Sequence, residues 1–242
     1  MGEQKFDKID SVPVYRLVYD SIERQILAGQ LRNGDLLPTE TRLAEQFGVN
    51  RSSVREGIRL LEQSGFVERK TGKRLQVAIP HFVDVASDVS RALKLHKVTF
   101  RELWEASLAI EPVVTRYAAE RITSDEIQEL RRNIEQMDKA ASVNRVVELD
   151  IEFHNMLAQA ARNRALILAR EPISLLFMPA GRAILPKLKT QQRIIDAHRA
   201  ILQAIEGRDI AGSESWMARH IEDFRRGYER TGLSMDEPLP NA

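Results

Sequence analysis

The sequence predicts a mainly α protein in two parts: three short helices with a small basic β-hairpin, followed by an all-α antiparallel helical bundle. Three observations predict it. Apolar residues recur at helical spacing through most of the chain, two short strand-like runs flank a Gly-containing turn within 66–77, and strand-like patterns cease after Pro80.

Composition permits this and narrows the chemistry. At 242 residues, with 43% hydrophobic and 29% charged, the chain has an ordinary globular balance and room for two domains. Lys and Arg total 36 against 35 Asp and Glu, a formal net charge of +1, so attraction to phosphates must come from local clusters. The absence of cysteine excludes disulfides and thiolate chemistry and accords with a reducing cytosol. The opening run MGEQKFDKIDSV carries charges where a signal peptide needs apolar residues. No stretch approaches the roughly 18 uninterrupted apolar residues of a membrane span. A cytoplasmic protein with no membrane partner is expected.

Within 13–28, Val14, Leu17, Val18, Ile22, Ile26 and Leu27 trace one face of a first helix, which Gly29 stops. After the turn-like Arg32-Asn33-Gly34-Asp35, Thr39 caps a short second helix through Leu43, Ala44 and Phe47, ended by Gly48. Asn50 is placed to cap a third helix, 51–63, whose inward stripe is Val54, Ile58, Leu60 and Leu61, closed by Ser64-Gly65. Residues 66–77 make two short strands. Three helices and a hairpin are the layout of a winged helix-turn-helix, assigned to residues 1–79.

Pro80 opens the second domain, assigned to residues 80–232. Thr99-Phe100-Arg101-Glu102 and Thr123-Ser124-Asp125-Glu126 both spell a capping box, in which hydroxyl and carboxylate each take a free backbone N–H, fixing helix starts near 100 and 124. Pro112, Pro172 and Pro179 each remove a backbone donor and crowd the preceding turn, so kinked or interrupted helices are expected there. The last two helices are expected at 189–206 and 209–230, either side of Gly207. Residues 233–242, with Pro238 and Pro240, are expected to form a flexible tail.

In a helix-turn-helix the second helix of the motif enters the major groove, and residues near its N-terminus meet base edges. Here these are Asn50, Arg51, Ser52, Ser53 and Arg55. Arginine offers a two-pronged donor to guanine O6 and N7, while hydroxyls and a helix N-terminus suit phosphate oxygens. The hairpin adds Arg69, Lys70, Lys73 and Arg74 beside Gly72, able to follow the backbone or reach the minor groove.

The run 37–77 resembles the N-terminal domain of the GntR superfamily. Its pattern of Pro-Ser-Glu, Leu-Ala, Gly-Val-Ser-Arg, Val-Arg-Glu-Ala-Leu and Leu-Glu is met by Pro38-Thr39-Glu40, Leu43-Ala44, Gly48-Val49-Asn50-Arg51, Val54-Arg55-Glu56-Gly57-Ile58 and Leu61-Glu62. The resemblance implies a homodimer on palindromic operator DNA, with Thr39, Thr41, Arg42, Gly72, Lys73 and Arg74 joining the third helix at the duplex. There are departures. Thr41 stands where the family often has a DNA-contacting arginine, with Arg42 beside it, and Arg74 replaces a frequent second wing glycine.

Asp150 and His154, four apart, share one helical face and can grip one ion, although such a pair is more commonly a hydrogen bond. His198 and His220 follow on the last two predicted helices, and spacing alone leaves open whether they converge. The C-terminal part resembles the FCD domain of FadR-type GntR regulators, a bundle of six or seven helices. Metal-binding members place an aspartate and a histidine four apart on one helix and two more histidines on the last two. The resemblance therefore implies a metal site at Asp150, His154, His198 and His220, and Asn163 and the run 204–209 fit the surrounding pattern. Three imidazoles and a carboxylate suit Zn²⁺, Ni²⁺ or Mn²⁺, with open positions for water or a carboxylate effector.

In Glu105-Ala106-Ser107 the family commonly has an arginine at the place of Ser107, where it would pair with an anionic effector. Arg101, Arg116 and Arg182 are the candidates to compensate, so Ser107, Arg101 and Arg182 are the expected effector contacts. His81 and His96 read as surface residues. A regulator, not an enzyme, is expected. The same ligands also describe a hydrolytic centre, but the nearest base, Glu152, lies at i+2 and points away from Asp150. A third reading is a structural metal that locks the bundle.

Overall fold

The computed structural model describes residues 12–70, 74–188 and 191–239. The chain forms two compact units that divide between His81 and Phe82.

The first unit contains α1 (Val14–Leu27), α2 (Glu40–Phe47), α3 (Arg51–Gln63), β1 (Val67–Arg69) and β2 (Leu75–Val77). The strands pair antiparallel, Val67 opposite Val77 and Arg69 opposite Leu75. From α1, Val18, Tyr19 and Ile22 meet Leu43 of α2, Val54, Ile58 and Leu61 of α3, and Val67 and Leu75 of the hairpin in one core. Val14, Leu17 and Leu27 of the predicted apolar face are instead exposed. Leu60 is half-buried, because two residues on from Ile58 it has turned about 200° off that stripe.

Local chemistry fixes the angle between α2 and α3. The Thr39 hydroxyl accepts the Arg42 N–H at 3.3 Å, capping α2. Gly48 ends α2 in the left-handed region at φ 65°, which a residue lacking Cβ adopts without strain. Asn50 holds the cap position of α3, yet its side chain makes no capping hydrogen bond. Gly57 lets α3 sit close on α1: a Cβ there would lie 2.9 Å from the Tyr15 carbonyl oxygen and 3.0 Å from Val18 Cγ1.

The second unit contains α4 (Phe82–Leu95), α5 (Phe100–Arg121), α6 (Ser124–Asp138), α7 (Val143–Ala160), α8 (Arg164–Leu188), α9 (Gln191–Glu206) and α10 (Ile210–Arg230). Both capping boxes form: Thr99 with Glu102 opens α5, and Thr123 with Glu126 opens α6. α5 packs against α7, α8 and α10, and α9 lies along α10 and α6. The core between them includes Val114, Leu130, Phe153, Leu157, Ile201 and Met217.

Two expectations are corrected here. Pro112, Pro172 and Pro179 do not interrupt their helices; α5 and α8 run through them, and α8 holds Pro186 as well. The three prolines of α8 stand seven residues apart, so the lost donors fall on one face and the remaining ladder is intact. Residues 233–239, expected as part of a loose tail, pack instead. Met235 is buried with Phe100 and Tyr228, and Leu233 and Leu239 lie against the same cluster. Arg101 N–H donates to the Met235 carbonyl at 2.9 Å.

Candidate DNA-reading face and metal centre

α3 presents its first turns outward. The side chains of Arg51 and Arg55 are 60% and 62% exposed. Asn50 and Ser52 are exposed beside them and Ser53 is half-buried. On α2 and its cap, Thr39, Thr41 and Arg42 are all exposed. Arg74 is exposed at the start of β2, and Gly72 and Lys73 lie outside the described residues.

One contact was not legible in the sequence. The Glu40 carboxylate, only 14% exposed, lies 3.7 Å from Arg51 Nε, 3.3 Å from Arg55 Nε and 3.4 Å from an Arg69 Nη. Arg69 also pairs with Glu62 at 2.7 Å. Three guanidinium groups from two elements are thereby gathered on one carboxylate, which limits their rotamers before any ligand arrives.

In the second unit, α7 supplies Asp150 and His154, α9 supplies His198 and α10 supplies His220. Their ligand atoms all lie within 4.8 Å of one another. His154 Nε2 and His220 Nε2 are 3.2 Å apart. Asp150 Oδ1 stands 3.2 Å from His198 Nε2 and 3.7 Å from His220 Nε2. Ligand atoms bound at about 2.1 Å to one tetrahedral or octahedral ion lie roughly 3.0–3.4 Å apart along their shared edges. Two of these separations match such an edge, and the four groups converge on a volume that one ion could occupy.

The unpaired atoms point the same way. Among the described residues, Asp150 Oδ1 and both ring nitrogens of His198 are buried without a hydrogen-bond partner, and orphaned groups of this kind are costly unless something satisfies them. His198 is fixed by stacking on Phe153, ring centroids 3.9 Å apart and planes 10° apart. Burial and the neighbouring His198 push the His220 ring down to about 3, so its lone pair is free. Burial likewise lowers His198. For His154, burial pulls down but the Glu111 carboxylate outweighs it and raises the ring above its ordinary value. Burial opposes the Asp150 charge, yet the three imidazoles hold its carboxyl below the usual range.

Glu111 of α5 acts behind this set. Its Oε2 lies 3.2 Å from His154 Nδ1, which places the ring proton on Nδ1 and turns Nε2 toward the other ligands. Its Oε1 accepts from Arg170 Nε at 2.8 Å. Arg170, on α8 and 2% exposed, was also missed in the sequence. Both belong to the wall of a pocket that includes Ser107, Asp150, His154, Ser174 and His220. The rest of that wall is apolar, with Ile151, Phe177, Met178 and Phe224 among it.

Of the expected effector contacts, Ser107 lines this pocket, and Arg101 and Arg182 do not. Arg101 stands six residues before Ser107, about 9 Å back along the axis, where Asp236 takes its Nε at 2.6 Å. Arg182 is exposed, one residue beyond Gly181, which faces the pocket. Arg116, also considered, is partly exposed and 4.0 Å from Glu214. Glu152 is exposed, 3.5 Å from Arg145, and takes no part in the cluster. His81 and His96 are exposed, as expected. Among the described residues no helix is long and apolar enough to cross a membrane.

Residues 14–77 match the family of bacterial regulatory proteins called gntR, and residues 102–223 match the FCD domain. HTH-type transcriptional regulator LutR of Bacillus subtilis is 29% identical over 209 residues, covering 83% of this chain and 95% of LutR. The Glc operon transcriptional activator of Escherichia coli K12 is 30% identical over 168 residues, 67% of this chain and 66% of that protein. HTH-type transcriptional repressor NanR of Klebsiella aerogenes is 27% identical over 234 residues, 90% of this chain and 86% of NanR. Among solved structures, Streptococcus agalactiae GntR superposes with a TM-score of 0.62 at 25% identity, covering 88% of this chain and 99% of that one. With an exposed arginine-bearing helix in its first unit and these matches spanning both, the chain belongs to the GntR family of bacterial transcriptional regulators and carries a C-terminal FCD effector-binding domain.

Proposed function

We propose that this chain is a FadR-type regulator that binds a palindromic operator as a cytoplasmic homodimer and takes a carboxylate effector beside a divalent metal. Residues 1–79 read the DNA, and residues 80–232 hold the effector and the dimer contacts. The observation that carries the reading is the exposed pair Arg51 and Arg55 at the start of α3. Each offers a fork to guanine in one half-site, and two-fold symmetry repeats the arrangement on the other. Asn50, Ser52 and Ser53 sit where hydroxyl and amide groups meet phosphate or base edges, and Thr39, Thr41, Arg42 and the wing cations fix the register.

Asp150, His154, His198 and His220 would hold the ion, whose donor set suits Zn²⁺, Ni²⁺ or Mn²⁺. When bound, it supplies a Lewis-acidic positive charge to which a carboxylate oxygen can bind. The chain's own part is to hold His154 in the right tautomer through Glu111 and to exclude water with the apolar wall.

The test is fluorescence anisotropy with DNA from upstream of the chain's own operon, over a salt series. Arg51→Ala/Arg55→Ala lowers operator affinity at least about tenfold, since one bidentate base contact is worth roughly 1–3 kcal/mol. Equal affinity for parent and double variant removes both residues from base reading. A metal that only locks the bundle would show as a melting-temperature loss with chelator and no effect of any acid on operator binding.

A further inference from the structure

We infer that Arg170 sets the charge of the effector: the metal-loaded pocket accepts a monoanion on an apolar body, its carboxylate held by Arg170 with Ser107 and Ser174. This rests on the proposed metal and effector reading and narrows the ligand class.

Arg170 lies deep in α8 at 2% exposure, where a guanidinium is retained only if its charge is matched. Its Nε donates to Glu111 Oε1 at 2.8 Å and its Nη1 to Asn155 Oδ1 at 2.6 Å. Nη1 also lies 3.5 Å from Glu171. Among the described residues Nη2 reaches only the Ser174 hydroxyl, at 3.4 Å. That last contact sits at the outer limit of a hydrogen bond, so one prong of the fork is weakly used on the side that lines the pocket.

Charge balance fixes what the prong is for. Of the groups that line the pocket, Glu111 and Asp150 bring two negative charges and Arg170 one positive. Glu171 lies outside that lining with its side chain 17% exposed, and the three imidazoles are neutral when they ligate a metal. The protein alone is therefore one charge negative here, and a divalent ion turns it one charge positive. A net charge set among the half-buried Ile151, Phe177, Met178 and Phe224 is poorly screened, so a single anion completes the site. A dianion overshoots. A polyhydroxylated acid fits poorly for another reason, since that wall leaves its hydroxyls without partners.

The experiment is titration calorimetry on full-length protein loaded with Mn²⁺ or Zn²⁺, with metal content measured, against 4-methylpentanoate, succinate and gluconate. 4-Methylpentanoate binds at least tenfold tighter than either other acid and loses binding when the metal is chelated. Arg170→Lys keeps the charge but loses the fork, and weakens it at least tenfold. Should the variant fail to fold, Arg170→Gln/Glu111→Gln deletes the guanidinium without changing the pocket charge, and it gives the same loss at parental metal content. Glu111→Gln makes the pocket more positive and shifts the preference toward succinate, a change that a purely structural ion pair does not produce. A parent that takes up no metal overturns the metal reading and this inference with it. A metal-loaded parent that ignores all three acids, or favours succinate or gluconate, overturns the inference alone, as do folded Arg170 variants that bind like the parent.

Discussion

Glu40 Oε2 lies 3.3 Å from Arg55 Nε, so a carboxylate at the start of α2 holds an arginine of α3 in place. The same group reaches Arg51 and Arg69. Glu40 thus trades raw attraction to phosphate for order among the cations. In Glu40→Gln, binding to a scrambled duplex tightens and its salt slope steepens by up to about one unit, as when one more phosphate is neutralised. Operator preference over the scrambled duplex falls several-fold, because the forks are no longer preset. An unchanged ratio in paired anisotropy titrations would show that Glu40 does not order the arginines.

On the proposed metal reading, removing the ion destabilises the second unit, whose four candidate ligands come from three helices. At a free metal concentration a hundred times Kd, binding contributes about 2.7 kcal/mol. For a chain of this size that is roughly 5–10 °C in Tm. Differential scanning fluorimetry with and without EDTA reads the difference, and His198→Ala, which removes a buried ligand, abolishes it.

The Glu111 carboxyl sets an acid limit. Burial pushes it up, but Arg170 and His154 more than offset this and lower it to about 2. An unfolded glutamate takes up its proton near pH 4.3, so as pH falls below that the unfolded state binds more protons than the native one. The stabilisation is complete above that pH and drains away toward pH 2. Urea unfolding of metal-free protein between pH 6 and 3.5 should show the parent losing stability on the acid side more steeply than Glu111→Gln. Parallel curves would mean that the carboxyl titrates normally.

Gly57 sits mid-helix, where alanine is ordinarily worth about 1 kcal/mol more. Here the sign reverses. The added Cβ would lie 2.9 Å from a backbone oxygen of α1, and backbone cannot swing aside as a side-chain tip does. Overpacking of this kind costs about 1–3 kcal/mol, so Gly57→Ala lowers stability by on the order of 1 kcal/mol. Denaturant midpoints of the two proteins decide it.

What could be read from the sequence was what neighbours along the chain determine. The two Thr-x-x-Glu boxes fix the starts of α5 and α6, because donor and acceptor are three residues apart. The exposed start of α3 follows from Gly48 and the stripe of Val54, Ile58 and Leu61. Arg170 could not be found that way: its partner Glu111 is 59 residues distant, and nothing beside it marks it as buried. Arg101 misled for the matching reason, its partner Asp236 lying 135 residues away. The prolines of α8 misled because helix propensity is a local quantity, and packing along α4, α5 and α7 decides that segment.

The four-ligand cluster has a practical corollary for anyone preparing the protein. Imidazole-rich sites favour nickel and copper over zinc or manganese in the ordinary divalent series, and a nickel affinity resin presents the former in excess. Material purified through a polyhistidine tag would thus arrive already charged by the column, and its colour or metal assay would report the chromatography. Tag-free preparation is the route by which an ion acquired in the cell would be identified, and stripping followed by reloading from a defined metal buffer gives material of known metal content.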